Sequence, residues 1–156
     1  MAKAPKFPGQ ESTELEKAFG SFETGATIGK FRLLKQLGTG RFGRVYLAAN
    51  LKTGTPVTIR ALAPTLLEDV PTRKRVREVI QNLRQLRHAA IPRVHGIGTH
   101  DGVDFVVTAY VRGLTLRKAL YRNQKRLLQA PLALALARSV VDALRYAWLD
   151  HGVLHR

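Results

Sequence analysis

Cysteine is absent from all 156 residues. That excludes a disulfide framework, a thiolate metal site and a cysteine nucleophile. Long apolar runs are absent too. A membrane-spanning helix needs about 18 or more apolar residues, and the most apolar stretch, Ala130 to Leu149, is broken by Arg138, Asp142 and Arg145. Met1 to Gln10 carry no apolar segment of the secretory kind, so a cytoplasmic protein without a membrane span is the expectation. Acidic side chains are few: 11 Asp and Glu stand against 26 Lys and Arg, for a net charge of +15. Residues 1–30 hold four lysines and four glutamates, so the whole excess falls in residues 31–156. Arg73, Lys74, Arg75, Arg77, Arg84 and Arg87 form one basic cluster; Arg112, Arg117, Lys118, Arg122, Lys125 and Arg126 form another. Such surfaces attract nucleic acid, anionic surfaces or acidic proteins. No aromatic stacking pattern interleaves these charges. A solvated face, or one balanced by acidic surface outside this chain, is the simpler expectation.

What is present fits one domain, or one lobe of a larger one, and an apolar content of 45% supports a real core. Residues 1–28 read as a flexible arm: Ala4-Pro5-Lys6-Phe7-Pro8-Gly9 breaks regular structure, and Ser12 to Phe19 allows a short helix. From Phe31 the pattern is extended. Strands are expected over Phe31 to Leu37, Arg44 to Ala49 and Pro56 to Leu62, with a hairpin turn at Lys52-Thr53-Gly54. Pro71 to Arg87 reads as a helix, with Glu68 and Asp69 ahead of it and Pro71 in its first turn. A second hairpin joins Pro92 to Gly98 and Val103 to Ala109 around His100-Asp101-Gly102. Two helices follow: Leu114 to Leu120, and Pro131 to Asp150, which is apolar nearly all round and so expected to be buried. The fold class is α+β: a five-stranded antiparallel sheet with one helix, then two helices of a second unit.

Leu37-Gly38-Thr39-Gly40-Arg41-Phe42-Gly43-Arg44-Val45 places a GxGxxGxV motif between two strands, not between a strand and a helix. Val57-Thr58-Ile59-Arg60, Leu86-Arg87-His88-Ala89-Ala90-Ile91, Val106 to Gly113 and Trp148 to Arg156 follow it in order. In this order the segments resemble the protein kinase family, most closely the bacterial Ser/Thr type. The resemblance implies a small lobe over residues 29–109, then a hinge and the beginning of a large lobe over residues 110–156.

It also implies an ATP site. Leu37 and Val45 would cover one face of an adenine. The backbone of Gly38, Thr39, Gly40, Arg41, Phe42 and Gly43 would lie over the phosphates, glycine permitting close approach. The Ala109 carbonyl and the Val111 N–H would bond the adenine edge, with Thr108 as gatekeeper. His155 and Arg156 would begin the catalytic loop.

Three positions depart from the family pattern. Arg60 stands where the family has a lysine; it keeps the charge but presents a planar fork. Thr58 replaces the small alanine beneath the adenine. The helix glutamate that should pair with the lysine falls on Val79 by spacing from His88, while Glu78, one residue away, is predicted to face solvent. The chain given ends at His155-Arg156, without the aspartate and Mg²⁺ ligands of phosphoryl transfer. The expectation is therefore the nucleotide-binding portion of a Ser/Thr protein kinase-like domain, catalytically incomplete, whose hold on Mg-ATP is weak or lost. Its partner is the remainder of the large lobe or another protein. A pseudokinase scaffold and a basic module docking on nucleic acid or anionic surfaces are the alternatives. No metal site is expected: His88 reads as a packed turn residue, and His95, His100 and His151 lack ligand spacing.

Overall fold

The computed structural model describes residues 19–40, 42–64, 67, 69–122 and 127–154. The expected helix at 12–19 lies outside them apart from Phe19. Six strands form one antiparallel sheet: β1 (Thr27–Ile28), β2 (Phe31–Gly40), β3 (Gly43–Asn50), β4 (Pro56–Leu62), β5 (Val94–His100) and β6 (Val103–Ala109). Their order is β1-β2-β3-β4-β6-β5. The five expected strands all form, and the two-residue β1 pairs with the start of β2.

Alternation explains which face is buried. Tyr46 and Ala48 on β3, Val57, Ile59 and Ala61 on β4, and Val103, Phe105 and Val107 on β6 point to one side and form the core. Residues 19–28, expected as part of a flexible arm, close that side. Phe19 and Phe22 are each 1% exposed and Ile28 is fully buried. Tyr46 Oη donates to the Phe22 carbonyl at 2.6 Å within the core, and the Phe22 ring packs edge-on against Phe105. Phe19 also sits beneath the Arg44 guanidinium. Burying an aromatic side chain stabilises by about 1.5–3 kcal/mol, which is why two of them hold this segment down.

Helix α1 (Val70–Leu83) starts at Asp69, whose carboxylate accepts from the Thr72 N–H at 2.7 Å and from its hydroxyl at 2.8 Å. It ends four residues before the expected Arg87. The N–H groups of Gln85 and Leu86 turn to carbonyls three residues back, at Asn82 and Leu83, tightening the chain into a turn that buries Leu86. The inward stripe is Val76, Ile80 and Leu83, packed towards β5. The β5–β6 hairpin turns at Asp101 (φ 47°) and Gly102 (φ 78°).

Helix α2 spans Leu116–Arg122 and α3 spans Ala130–Leu149. Burial of α3 was the expectation from its apolar composition, and the structure corrects it: only Ala143 and Ala147 are buried, while Leu134 is 71% and Val141 60% exposed. Composition gives the helix its apolar faces; only its contacts decide which of them are covered. Among the described residues no helix is long and apolar enough to cross a membrane.

Candidate functional site

The face of the sheet opposite the core carries the candidate site. Val45 on β3 pairs with Arg60 on β4, and Arg60 pairs with Val106 on β6. One step along, Leu47 pairs with Thr58 and Thr58 with Thr108. Cross-strand partners share a face, so these six side chains form two adjacent rows. Arg60 is exposed and the other five are half-buried. Local sequence causes this: Tyr46, Ile59, Val107 and Phe105 take the core positions, which forces Val45, Thr58, Arg60 and Thr108 to the other side.

The glycine turn closes one end. Gly40 pairs with Gly43 across the hairpin, and bulges in β2 lie between Leu33 and Lys35 and between Gln36 and Gly38. Gln36 Nε2 donates to Thr39 Oγ1 at 2.8 Å, bracing the strand before the turn. The glycines divide into two kinds. A Cβ on Gly43 would fall 1.8 Å from the Ala61 carbonyl oxygen, and its φ is +118°, so the fold itself demands glycine there. Among the described residues a Cβ on Gly38 or Gly40 would meet nothing within 4 Å. Their bare backbone is open to an approaching group. Leu37 and Phe42 flank the turn at 40% and 48% exposure. Arg41, His155 and Arg156 lie outside the described residues.

At the other end, β6 gives way to the segment after Ala109. The Ala109 N–H donates to the Arg93 carbonyl at 2.8 Å. Val111 is 64% exposed and makes no backbone hydrogen bond among the described residues. Helix α1 brings neither candidate partner to Arg60. Among the described residues Arg60 and Glu78 make no ion pair, and both Glu78 and Val79 are exposed, outside the stripe that packs on the sheet. Among the described residues no three His, Asp or Glu side chains gather as a metal site would require.

Two positioning groups had no part in the sequence reading. Asp104 on β6 is 2% exposed. Its Oδ1 accepts from Arg77 Nη2 at 2.7 Å and from the Thr99 hydroxyl. Among the described residues its Oδ2 has no hydrogen bond, but it lies 3.5 Å from Arg73 Nε. Both arginines belong to α1, so Asp104 ties that helix to the sheet. The visible signal was an acid inside the apolar run Val103-Asp104-Phe105-Val106-Val107 of a basic chain. Tyr146 on α3 makes the second tie: its hydroxyl accepts from the Arg87 N–H at 2.9 Å and contacts His151 Nε2 at 2.9 Å. The His88 ring lies 5.3 Å from that of Tyr146, while its Nδ1 accepts from the Ala90 N–H. His88 is thus the packed turn residue the sequence suggested.

The protein kinase domain family matches residues 31–156. Among individual proteins, the chain is 27% identical over 128 residues to the serine/threonine-protein kinase PrkC of Bacillus subtilis, covering 82% of this chain and 19% of PrkC. It is 34% identical over 131 residues to an Aurora kinase of Schizosaccharomyces pombe, covering 83% of this chain and 36% of that kinase. The crystal structure of the Mycobacterium tuberculosis PknI kinase domain superposes with a TM-score of 0.77 at 27% identity, over 86% of this chain and 53% of that structure. The chain thus spans about a fifth of PrkC and about half of the PknI kinase domain.

Proposed function

The chain belongs to the protein kinase family, of the bacterial serine/threonine type, and from that premise we propose that it forms the nucleotide-binding portion of a Ser/Thr protein kinase-like domain, with ATP as its ligand. The observation that carries this is the pair Gly38 and Gly40: among the described residues no atom lies where their missing Cβ would be, yet both sit at the lip of a half-open sheet face. A phosphate chain is a group that uses such room, since it approaches backbone N–H donors closely.

The remaining residues fit the same ligand. Leu37, Val45 and Thr58 would wall the adenine, with Thr108 behind it. The Val111 N–H and the Ala109 carbonyl would meet its polar edge. Arg60 would offer its fork to a phosphate oxygen; guanidinium binds phosphate in a different pose from an ammonium. Bound ATP would supply the transferable phosphoryl group, and Mg²⁺ would shield its charge. This chain's residues contribute orientation and exclusion of water from the adenine.

A second reading is a pseudokinase, a regulatory binding module. Arg60 supports it, because it has no ion pair with Glu78 among the described residues, and the lysine–glutamate pair belongs to active kinases.

Thermal unfolding with Mg-ATP, ADP and tripolyphosphate at fixed salt tests the nucleotide site. At about a hundred times its Kd a ligand stabilises by roughly 2.7 kcal/mol, raising the Tm by several degrees. ATP and ADP are expected to raise it, and tripolyphosphate is not. Equal shifts with all three, or none, refute an adenine site. Arg60→Ala separates the two readings: it diminishes the ATP response if Arg60 grips phosphate, and leaves it intact in the pseudokinase.

A further inference from the structure

Three arginines converge where α1 ends and β5 begins. Arg84, Arg87 and Arg93 line a cavity of about 330 Å³ together with Gln81, Gln85 and His95. Among the described residues no carboxylate lines it, and none of the three arginines makes an ion pair. Two of them are already oriented. Arg84 Nη1 donates to Gln81 Oε1 at 2.8 Å, and Arg87 Nη1 donates to the Leu86 and Arg84 carbonyls. Those bonds engage one nitrogen of each guanidinium and, among the described residues, leave the others without an acceptor.

His95 occupies the bulge of β5, between Val94 and Gly96, where the strand slips against β6. Bulges re-aim side chains, and His95 lines the cavity together with Arg93. The imidazole is harder to protonate than usual, through partial desolvation first and then the charges of Arg93 and Lys30. Arg84 and Arg87 face the same space from the end of α1. Cations crowded without a counter-charge repel one another, and a dianion among them removes that cost. Arginine forks match phosphate geometry bidentately.

We propose that this cavity binds a phosphoryl dianion, gripped by Arg84 and Arg93, with Arg87 and His95 completing the charge. The dianion is either free phosphate or the phosphoryl group of a modified peptide side chain.

The full chain is titrated with inorganic phosphate and with a phosphoserine peptide, at constant ionic strength and with chloride as reference, while the His95 ring is followed by NMR. Saturable shifts of His95 are expected, together with a rise in its pKa. Arg84→Gln/Arg93→Gln is expected to weaken binding at least tenfold, while Arg112→Gln/Arg117→Gln leaves it unchanged. Tighter binding of the peptide assigns the site to a phosphorylated partner; equal or tighter binding of phosphate assigns it to the free ion. The Arg84→Gln/Arg93→Gln protein is expected to keep its thermal response to Mg-ATP, separating this cavity from the glycine turn. Non-saturating shifts, equal weakening in both variant pairs, or joint loss of the phosphate and ATP responses overturns the proposal. The His95 titration of the unsubstituted chain stands whether or not a variant folds.

Discussion

Asp104 shows how a single buried acid is made tolerable. Removing a carboxylate from water costs several kcal/mol unless partners replace the water. Burial pushes its pKa up, but the Thr99 and Arg77 hydrogen bonds and the charges of Arg77 and Arg73 outweigh it, and the net direction is down from the ordinary 3.8. A lowered folded-state pKa means that the unfolded chain binds the proton more readily. The contribution of Asp104 is therefore full above the ordinary carboxylate range and is lost as pH falls through the folded value. Asp104→Asn is expected to lower stability at pH 7 by about 2 kcal/mol, the scale of a hydrogen bond to a charged group, or about 4–8 °C in Tm. Melting curves between pH 3 and 7 check this. The difference between the two proteins should shrink towards pH 3, and a constant gap would exclude the ionised carboxylate as its source. The sequence exposed this acid only as an oddity in an apolar strand, because Arg73 and Arg77 lie far from it along the chain. Gly38, Gly40 and Gly43 were legible as a motif, but their division into one structural glycine and two open ones depends on where Ala61 falls.

At the scale of elements, alternation and turn residues were enough to place five strands, since a half-buried sheet writes its two faces directly into the sequence. The segment over residues 19–28 was not legible in that way. Phe19, Phe22 and Ile28 follow no regular period, and only the open core face beneath them gives them a place. Phe22→Ala removes a fully buried ring and opens the core above Tyr46 and Phe105. Such truncations cost about 3–5 kcal/mol. Guanidinium unfolding of the two proteins should show a lower midpoint with an unchanged slope; a midpoint unmoved by the substitution would mean that this segment is not part of the folded body. Helix α1 stops short of the expected Arg87: Arg84 and Arg87 suit a last turn by charge, but the chain tightens after Leu83.

Across the whole molecule, two surfaces oppose each other. A net charge of +15 keeps copies apart. The uncovered side of α3, with Leu134, Val140, Val141 and Leu144 all exposed, draws them together. Salt decides the balance, because the screening length shrinks from about 10 Å at 0.1 M to about 3 Å at 1 M. Sedimentation is expected to show association rising with salt, and Leu134→Glu/Val141→Glu is expected to suppress it with a stability change within about 0.5 kcal/mol. Association that weakens with salt would place its cause in the charges instead.

The family match begins at residue 31, whereas Phe19 and Phe22 are already inside the core. The span of the family model and the span of the folded core are therefore different lengths of polypeptide. A gene fragment cut where that model begins would discard the roof of its own sheet, and the stability lost with Phe19, Phe22 and Ile28 would be mistaken for a property of the kinase unit itself.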